Sequence, residues 1–454
     1  MSFTSINPAT GECLQQLPAW DEKKLHAVLA DVAGATAGWA ATPVAERCEH
    51  LRIIAGLLRQ RQDELARLIT LEMGKLFSEA QAEIEKCALG CDYYADQAEN
   101  FLADEIISSD AGFSGVARLP LGTVLAIMPW NFPFWQVFRF AAPALAAGNT
   151  GVLKHASNVP QCALAIEQLF IDAGFPAHVF RSLMIRSDQV RQVIEDPRIH
   201  AVTLTGSEPA GRQVASHAGA ALKKTVLELG GSDAFIVLED ADLDLAVAMA
   251  MASRFMNAGQ SCIAAKRFIV DNSIADEFSQ RFQQAIESLR CGDPFDNNTT
   301  LAPMARVDLR DELQQQVQAS IAKGAVAVCG CQPQAGQGAW YQASLLDHVT
   351  AGMPAFDEEL FGPVASIIRV ADEQQALEIA NGSRFGLGGS VWTRDTPRGE
   401  QLARQVQAGA VFVNGLVKSD PRLPFGGIKA SGYGRELSHY GMHEFLNHKT
   451  IWVR

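Results

Sequence analysis

No stretch of this 454-residue chain approaches the roughly 18 consecutive apolar residues of a membrane-spanning helix. Its opening, MSFTSINPATGE, lacks the basic and apolar regions of a secretory signal. Neither export nor anchoring is expected, and the predicted location is the cytoplasm. A basic excess is also missing: 38 Lys and Arg stand against 51 Asp and Glu, a net charge of -13. Nucleic-acid binding needs a basic patch that displaces counterions, so the expected partner is a small molecule. Repeats and low-complexity tracts are absent too. What is there is ordinary globular composition, 48% hydrophobic and 20% charged, in a chain long enough for two or three domains with their own cores.

The nine cysteines, at 13, 48, 87, 91, 162, 262, 291, 329 and 331, form no framework of repeated spacings. That is the pattern of free thiols in a reducing compartment. The close pairs Cys87/Cys91 and Cys329/Cys331 lack a His/Cys half-site at matching spacing, so no metal is expected.

From about Asp21 to Tyr94, Leu and Ile recur every three or four residues, as in AERCEHLRIIAGLLRQRQDELARLITLEMGK, which predicts amphipathic helices packed on a neighbouring layer. From Gly122 short apolar runs alternate with amphipathic segments, the signature of a parallel sheet covered on both faces. The fold class is α/β, and the first such pattern reads as a doubly wound nucleotide-binding domain. A second begins near Asp233 with AFIVLED, a helix over about 243–257, KRFIVD, and strands near ASIIRV, GGSVWT and AVFVNG. The boundary is placed at Gly230/Gly231. The tail FLNHKTIWVR ends in a β-prone run that would be a poorly protected solitary edge, and pairing across a subunit contact is the expected remedy.

Four stretches could carry chemistry. VTLTGSEPAG (202–211) reads as a buried strand, a turn and a helix start, where Ser207 could cap and free N–H groups could attract a pyrophosphate. Its spacing matches neither the dinucleotide nor the P-loop motif, and an ordinary capped turn is the alternative. MPWNFP (128–133) lies at the carboxyl end of a strand, where open α/β sheets bind ligands. Asn131 there is either a preorganised donor or a turn residue. In LELGGSD (227–233), Glu228 before two glycines is either a general base on a flexible backbone or a salt-bridged turn carboxylate. Cys262, in NAGQSCIAAKR (257–267), is either a nucleophile or one more buried thiol.

Together PWNFP, LKHAS, TGSEPAG, LELGG, NAGQSC, EELFGPV and PFGGIKASGYGRE resemble the aldehyde dehydrogenase superfamily in sequence and order, over nearly the whole chain. The resemblance implies a Rossmann-like cofactor domain over 1–230, with an oligomerisation hairpin near 101–121. A catalytic α/β domain over 231–430 and a C-terminal oligomerisation segment over 431–454 would complete a homodimer or homotetramer. It assigns Cys262 as the thiolate that attacks the aldehyde, Asn131 with the Cys262 N–H as the oxyanion hole, and Glu228 as the base that activates water against the thioester. Lys154 and Glu359 would contact cofactor ribose, Phe361 would support the nicotinamide, Gly206, Ser207 and Gly211 would follow the pyrophosphate, and Trp130 would line the cleft. Many NAD-preferring members carry Glu where this chain has Ser157, so NADP is expected to be accepted, alone or with NAD. Where many members have a Lys, this chain has Phe140.

Arg139 falls where succinate-semialdehyde dehydrogenases of the superfamily grip the substrate carboxylate, a task suited to a guanidinium fork. Ser419 could add a hydroxyl and Arg422 charge, while a second arginine of some of these enzymes is Met256 here. The segments LKHAS and FGGIKASGYGRELSHYGMHEF look closest to a bacterial branch of that group. The expected reaction is oxidation of succinate semialdehyde to succinate with NADP or NAD. The alternatives are oxidation of other aliphatic or aromatic aldehydes, a CoA-acylating enzyme, which would normally lack Glu228, and a noncatalytic binding or structural protein of the same fold.

Overall fold

The computed structural model describes residues 2–454. The helical pattern forms four helices: α1 (Glu22–Ala41), α2 (Val44–Gln60), α3 (Gln62–Met73) and α4 (Phe77–Leu102). Gly74 ends α3 in the left-handed conformation (φ 92°), which favours glycine. Along α4 the buried positions Ala80, Glu83, Ile84, Cys87, Cys91, Tyr94 and Ala98 repeat every three or four residues and seat the helix on the layer below. Cys87 and Cys91 are core thiols on this face.

Two sheets follow. The first runs in the spatial order 432–433, 224–228, 201–205, 123–128, 150–155, 180–182, parallel throughout except for its antiparallel edge at Gly432–Tyr433. Every residue of Thr150–His155 and Ala201–Thr205 is buried, as a strand covered on both faces requires. The second orders 326–329, 344–347, 364–370, 265–271, 233–237, 388–392 and 410–413, and only 326–329 is antiparallel. Chain passes from the first sheet to the second between Glu228 and Asp233.

The strand order reverses between Thr123–Met128 and Ala201–Thr205. The loops after Met128, His155, Thr205 and Glu228 therefore gather at the carboxyl edge beside a topological switch point, where such sheets bind ligands. Helix α5 (Trp135–Ala146), which follows PWNFP, is buried at every position. Phe140 lies in its core, edge-on to Phe445 at 5.6 Å between ring centroids.

Leu446–Val453 pairs antiparallel with Phe113–Pro120, which pairs with Glu105–Ile106, and it remains an edge strand of this three-stranded sheet. Gly432–Tyr433 joins the first sheet, so residues 431–454 contribute to two sheets. The three-stranded sheet still exposes Ile106, Phe113, Ile451, Trp452 and Val453.

Candidate active site

Cys262 precedes strand Ala265–Asp271 of the second sheet and reaches toward the carboxyl edge of the first. Its turn is unusual: Asn257 (φ 56°), Ala258 (φ 51°) and Gly259 (φ 73°) are all left-handed. Two non-glycine residues there cost about 1–3 kcal/mol each and persist only when neighbours over-determine them. They do so here. Asn257 donates its backbone N–H to Glu79 Oε1 (2.8 Å) and its amide to the Asn131 carbonyl (2.8 Å). Fully buried Arg254 donates to the carbonyls of Gly259 (2.9 Å), Leu360 (3.2 Å), Ala265 (3.2 Å) and Gly362. Lys266 Nζ donates to the carbonyls of Ser261 (2.9 Å) and Cys262 (2.8 Å) and pairs with Glu359 Oε1 at 3.2 Å.

Cys262 sits where two cavities meet. One, of about 290 Å³, is lined by Trp130, Asn131, Gly206, Ser207, Glu228, Glu359 and Phe361 as well as Cys262. The other, of about 360 Å³, is lined by Arg139, Ser419, Lys86, Trp135 and Met256, again with Cys262. Burial pushes the Cys262 thiol up to about 12, against the lowering pull of Arg139 and Lys266. The Asn131 amide donates to the Gln260 carbonyl (3.1 Å) while its buried Oδ1 accepts nothing.

Glu228, at the end of strand Lys224–Glu228, is buried and both of its carboxyl oxygens lack a hydrogen-bond donor. It stands against Gly426, where a Cβ would come within 2.6 Å of Oε1. Burial first, and the neighbouring Glu436 second, raise it well above the usual carboxylate range, while Arg139 and Arg435 pull it down. A carboxyl raised in this way holds a proton more readily than an exposed one, as a general base requires.

Arg139 is buried, pairs through Nε with Glu436, donates to Thr205 Oγ1 (3.2 Å), covers the Phe425 ring at 4.7 Å and lines the second cavity with Ser419. Its charge also lowers Glu228. Ser419 Oγ accepts from Lys86 Nζ (2.7 Å) and Trp135 Nε1 (3.0 Å). Arg422 points to solvent, paired with Asp420 at 2.6 Å.

The cofactor-side residues divide into three groups. Trp130 and Phe361 form an edge-on pair at 5.8 Å, and Glu359 accepts from the Gly231 N–H (3.1 Å) over Gly230, where a Cβ would collide with its Oε2. Ser207 starts helix α6 (Glu208–Ala220), but its hydroxyl makes no capping bond, which leaves the terminal N–H groups open to an anion. Gly211 does not line the cavity. It packs on Leu229, where a Cβ would lie 2.6 Å from Cδ2, so its smallness serves helix-on-strand packing. Lys154 and Ser157 line a groove of about 820 Å³ with Asn158. Burial lowers the Lys154 ammonium, which has no partner among the described residues, and the Asn158 amide is buried without one. An open helix terminus, an aromatic pair and an unpartnered ammonium suit a phosphate-bearing cofactor with a planar ring, so the residues present fit a nicotinamide dinucleotide.

Several residues of this site were missed from sequence. Glu436 closes the GRE of PFGGIKASGYGRE but carried no assigned role. Lys266 carried no assigned role, although its spacing of four from Cys262 was a usable signal. Lys86 and Asn158 had no signal at all.

A profile of the aldehyde dehydrogenase family matches residues 1–451. A probable succinate-semialdehyde dehydrogenase [NADP(+)] of Synechocystis sp. is 52% identical over 454 residues, all of both chains. A succinate semialdehyde dehydrogenase [NAD(P)+] of Escherichia coli is 50% identical, covering 99% of this chain and 97% of its own. The crystal structure of succinic semialdehyde dehydrogenase from Streptococcus pyogenes in complex with NADP+ superposes with a TM-score of 0.98 at 39% identity, over 99% of each chain. With this similarity over its full length, the chain belongs to the aldehyde dehydrogenase family.

Proposed function

We propose that the protein oxidises succinate semialdehyde to succinate with NADP, or with NADP and NAD. The observation that carries this reading is Cys262 at the junction of the two cavities, one fitted to the cofactor and the other holding cationic and hydroxyl groups. Relatives about 50% identical that are named for this reaction support it. The Cys262 thiol passes its proton to solvent water as its sulfur forms a bond to the aldehyde carbon, and the carbonyl π pair moves onto the oxygen as an alkoxide. The second Asn131 N–H and the Cys262 backbone N–H receive the alkoxide, a contribution typically worth about a hundred- to thousandfold. When bound, a nicotinamide dinucleotide would supply the hydride acceptor that turns the Cys262 thiohemiacetal into a thioester. Glu228, with no donor of its own, then takes a proton from the water that attacks the thioester, and Cys262 leaves as thiolate. Lys154, Ser157, Glu359, Phe361 and the start of α6 hold the cofactor.

Nine unpaired thiols favour a reducing cytoplasm. The exposed apolar residues of the three-stranded sheet support a homodimer or homotetramer, with residues 1–230 as cofactor domain and 231–430 as catalytic domain. An aldehyde panel with and without a terminal carboxylate, read by reduced-cofactor absorbance, tests the proposal. Preference for succinate semialdehyde is expected, with turnover of every aldehyde abolished by Cys262→Ala, and equal turnover of butanal by wild type would contradict the proposal.

A further inference from the structure

Lys266 and Arg267 are neighbours on strand Ala265–Asp271, so their side chains leave opposite faces of the sheet. Arg267 donates to the carbonyls of Ser232 (2.9 Å), Ile379 (2.9 Å) and Ala380 (3.2 Å), fastening the strand to helix Glu373–Asn381. Lys266 turns back on the nucleophile's own turn. Its buried Nζ lies 2.9 Å from the Ser261 carbonyl oxygen, 2.8 Å from that of Cys262 and 3.2 Å from Glu359 Oε1, so each of its N–H donors has an acceptor. It lines neither of the cavities that meet at Cys262, and no step of the proposed reaction uses it as acid, base or ligand. Burying an ammonium carries a desolvation cost that an apolar side chain of the same length would avoid. What sets this one apart is where its donors go: two of the three clasp the main chain on either side of the Cys262 Cα.

We infer that Lys266 is a positioning residue for the oxyanion: its charge orients and polarises the Ser261–Cys262 peptide, so that the Cys262 N–H meets the alkoxide as a stronger donor. The inference rests on the proposed attack by Cys262 and on the oxyanion hole of that step. The Ser261 C=O and the Cys262 N–H are two ends of one peptide group. In the trans form they point in opposite directions, so a carbonyl drawn toward Lys266 sends the N–H the other way. That N–H has no acceptor among the described residues, which leaves it free for a ligand. A cation 2.9 Å from the carbonyl oxygen draws electron density through the amide toward that oxygen and leaves the N–H more positive. The Ala264 N–H donates to the same carbonyl at 3.2 Å and acts in the same sense. The bond to the Cys262 carbonyl secures the next peptide, and Gly231 makes room for it, since a Cβ there would come within 3.0 Å of that oxygen. Glu359 balances the ammonium. Charge fixed in this way before the reaction helps wherever negative charge develops. It serves both halves of the cycle, because sulfur attack on the aldehyde and water attack on the thioester load the same oxygen.

Lys266 also lowers the Cys262 thiol, so a slower reaction alone would not separate an oxyanion effect from a smaller thiolate fraction. The test therefore compares two reactions of the same sulfur, both without cofactor. One is acylation by p-nitrophenyl acetate, read as the first equivalent of nitrophenolate over a Cys262→Ala blank. The other is alkylation of Cys262 by iodoacetamide at the same pH, followed by mass spectrometry. Ester attack builds an alkoxide and alkylation does not, so the ratio of the two rate constants cancels thiolate fraction and access. Asn131→Ala, which removes the other donor, should lower this ratio by about a hundredfold. Lys266→Met weakens a donor without removing it and should lower the ratio by about tenfold. Lys266→Gln keeps a neutral donor of about half the strength and should lower it by about threefold; if Lys266→Met does not fold, that value decides. With aldehyde and NADP, kcat and kcat/KM should fall together in Lys266→Met, as for an interaction made only in the transition state. An unchanged ratio in the Lys266 variants, with Asn131→Ala still lowering it, overturns the role of Lys266 and leaves the proposed reaction standing. An unchanged ratio in Asn131→Ala as well, or no acylation of Cys262 in wild type, overturns the proposed oxyanion hole or nucleophile and the inference with it.

Discussion

Replacing Arg139 separates the structural account from the sequence expectation most sharply. A surface clamp for substrate would lose only KM for carboxylated aldehydes when Arg139 became Ala. The structure predicts something different, because Arg139 neutralises Glu436 inside a dry site and lowers Glu228. Removing one partner of a buried ion pair leaves the other charge uncompensated and costs about 3–5 kcal/mol. Arg139→Met and Glu436→Gln should each destabilise by about that amount in reversible denaturation at neutral pH. Replacing both, as Arg139→Met with Glu436→Leu, should restore much of the loss, since a pair exchanged for apolar groups of similar volume is often neutral. The sign of the pH effect follows from the same contacts. Arg139 lowers Glu228, so its loss raises Glu228 further, and the acidic limb of the kcat profile should move to higher pH. It should do so for butanal as well as for succinate semialdehyde. Single variants that lose less than about 1 kcal/mol, with a KM effect confined to carboxylated aldehydes, would refute this reasoning.

Three further outcomes are expected. Alkylation of Cys262 by iodoacetamide in the free enzyme should be slow at pH 7 and rise about tenfold per unit up to pH 10, because the thiol is pushed up to about 12; a plateau below pH 8 would mean a resting thiolate. Ser157→Glu places a carboxylate in the groove of Lys154, where it would accept ribose hydroxyls and repel a 2′-phosphate. The NADP-to-NAD ratio of kcat/KM should fall at least about tenfold, and an unchanged ratio would put the adenosine ribose elsewhere. Gly230→Ala drives a methyl into Glu359 Oε2 and should detach Glu359 from Lys266, weakening cofactor binding by about 1–3 kcal/mol in a fluorescence titration. Unchanged affinity would remove Glu359 from the cofactor site.

The α/β alternation was legible because buried parallel strands are written as short apolar runs, and the point where one sheet gives way to the next fell between two glycines that sequence could mark. Cys262, Asn131 and Glu228 were legible as a constellation, although each alone was ambiguous. The Arg139–Glu436 pair was not legible, because position along a helix says which face a residue occupies but not which distant carboxylate meets it: Glu436 lies 297 residues away along the chain. Lys86 was invisible for the same reason. Its helix is amphipathic and most lysines on such helices face water, while Ser419 arrives from the far end of the chain. For the tail, β-propensity identifies an edge without naming its partner within the chain, which is Phe113–Pro120.

The most direct test of the central claim, a cysteine-bound intermediate that Glu228 releases, is a single-turnover experiment with Glu228→Gln. Rapid mixing with succinate semialdehyde and NADP should give a burst of reduced cofactor equal to the number of active sites, little turnover afterwards, and a succinyl group on the peptide carrying Cys262. Full steady-state turnover by Glu228→Gln, or a burst without acylated Cys262, would contradict the account.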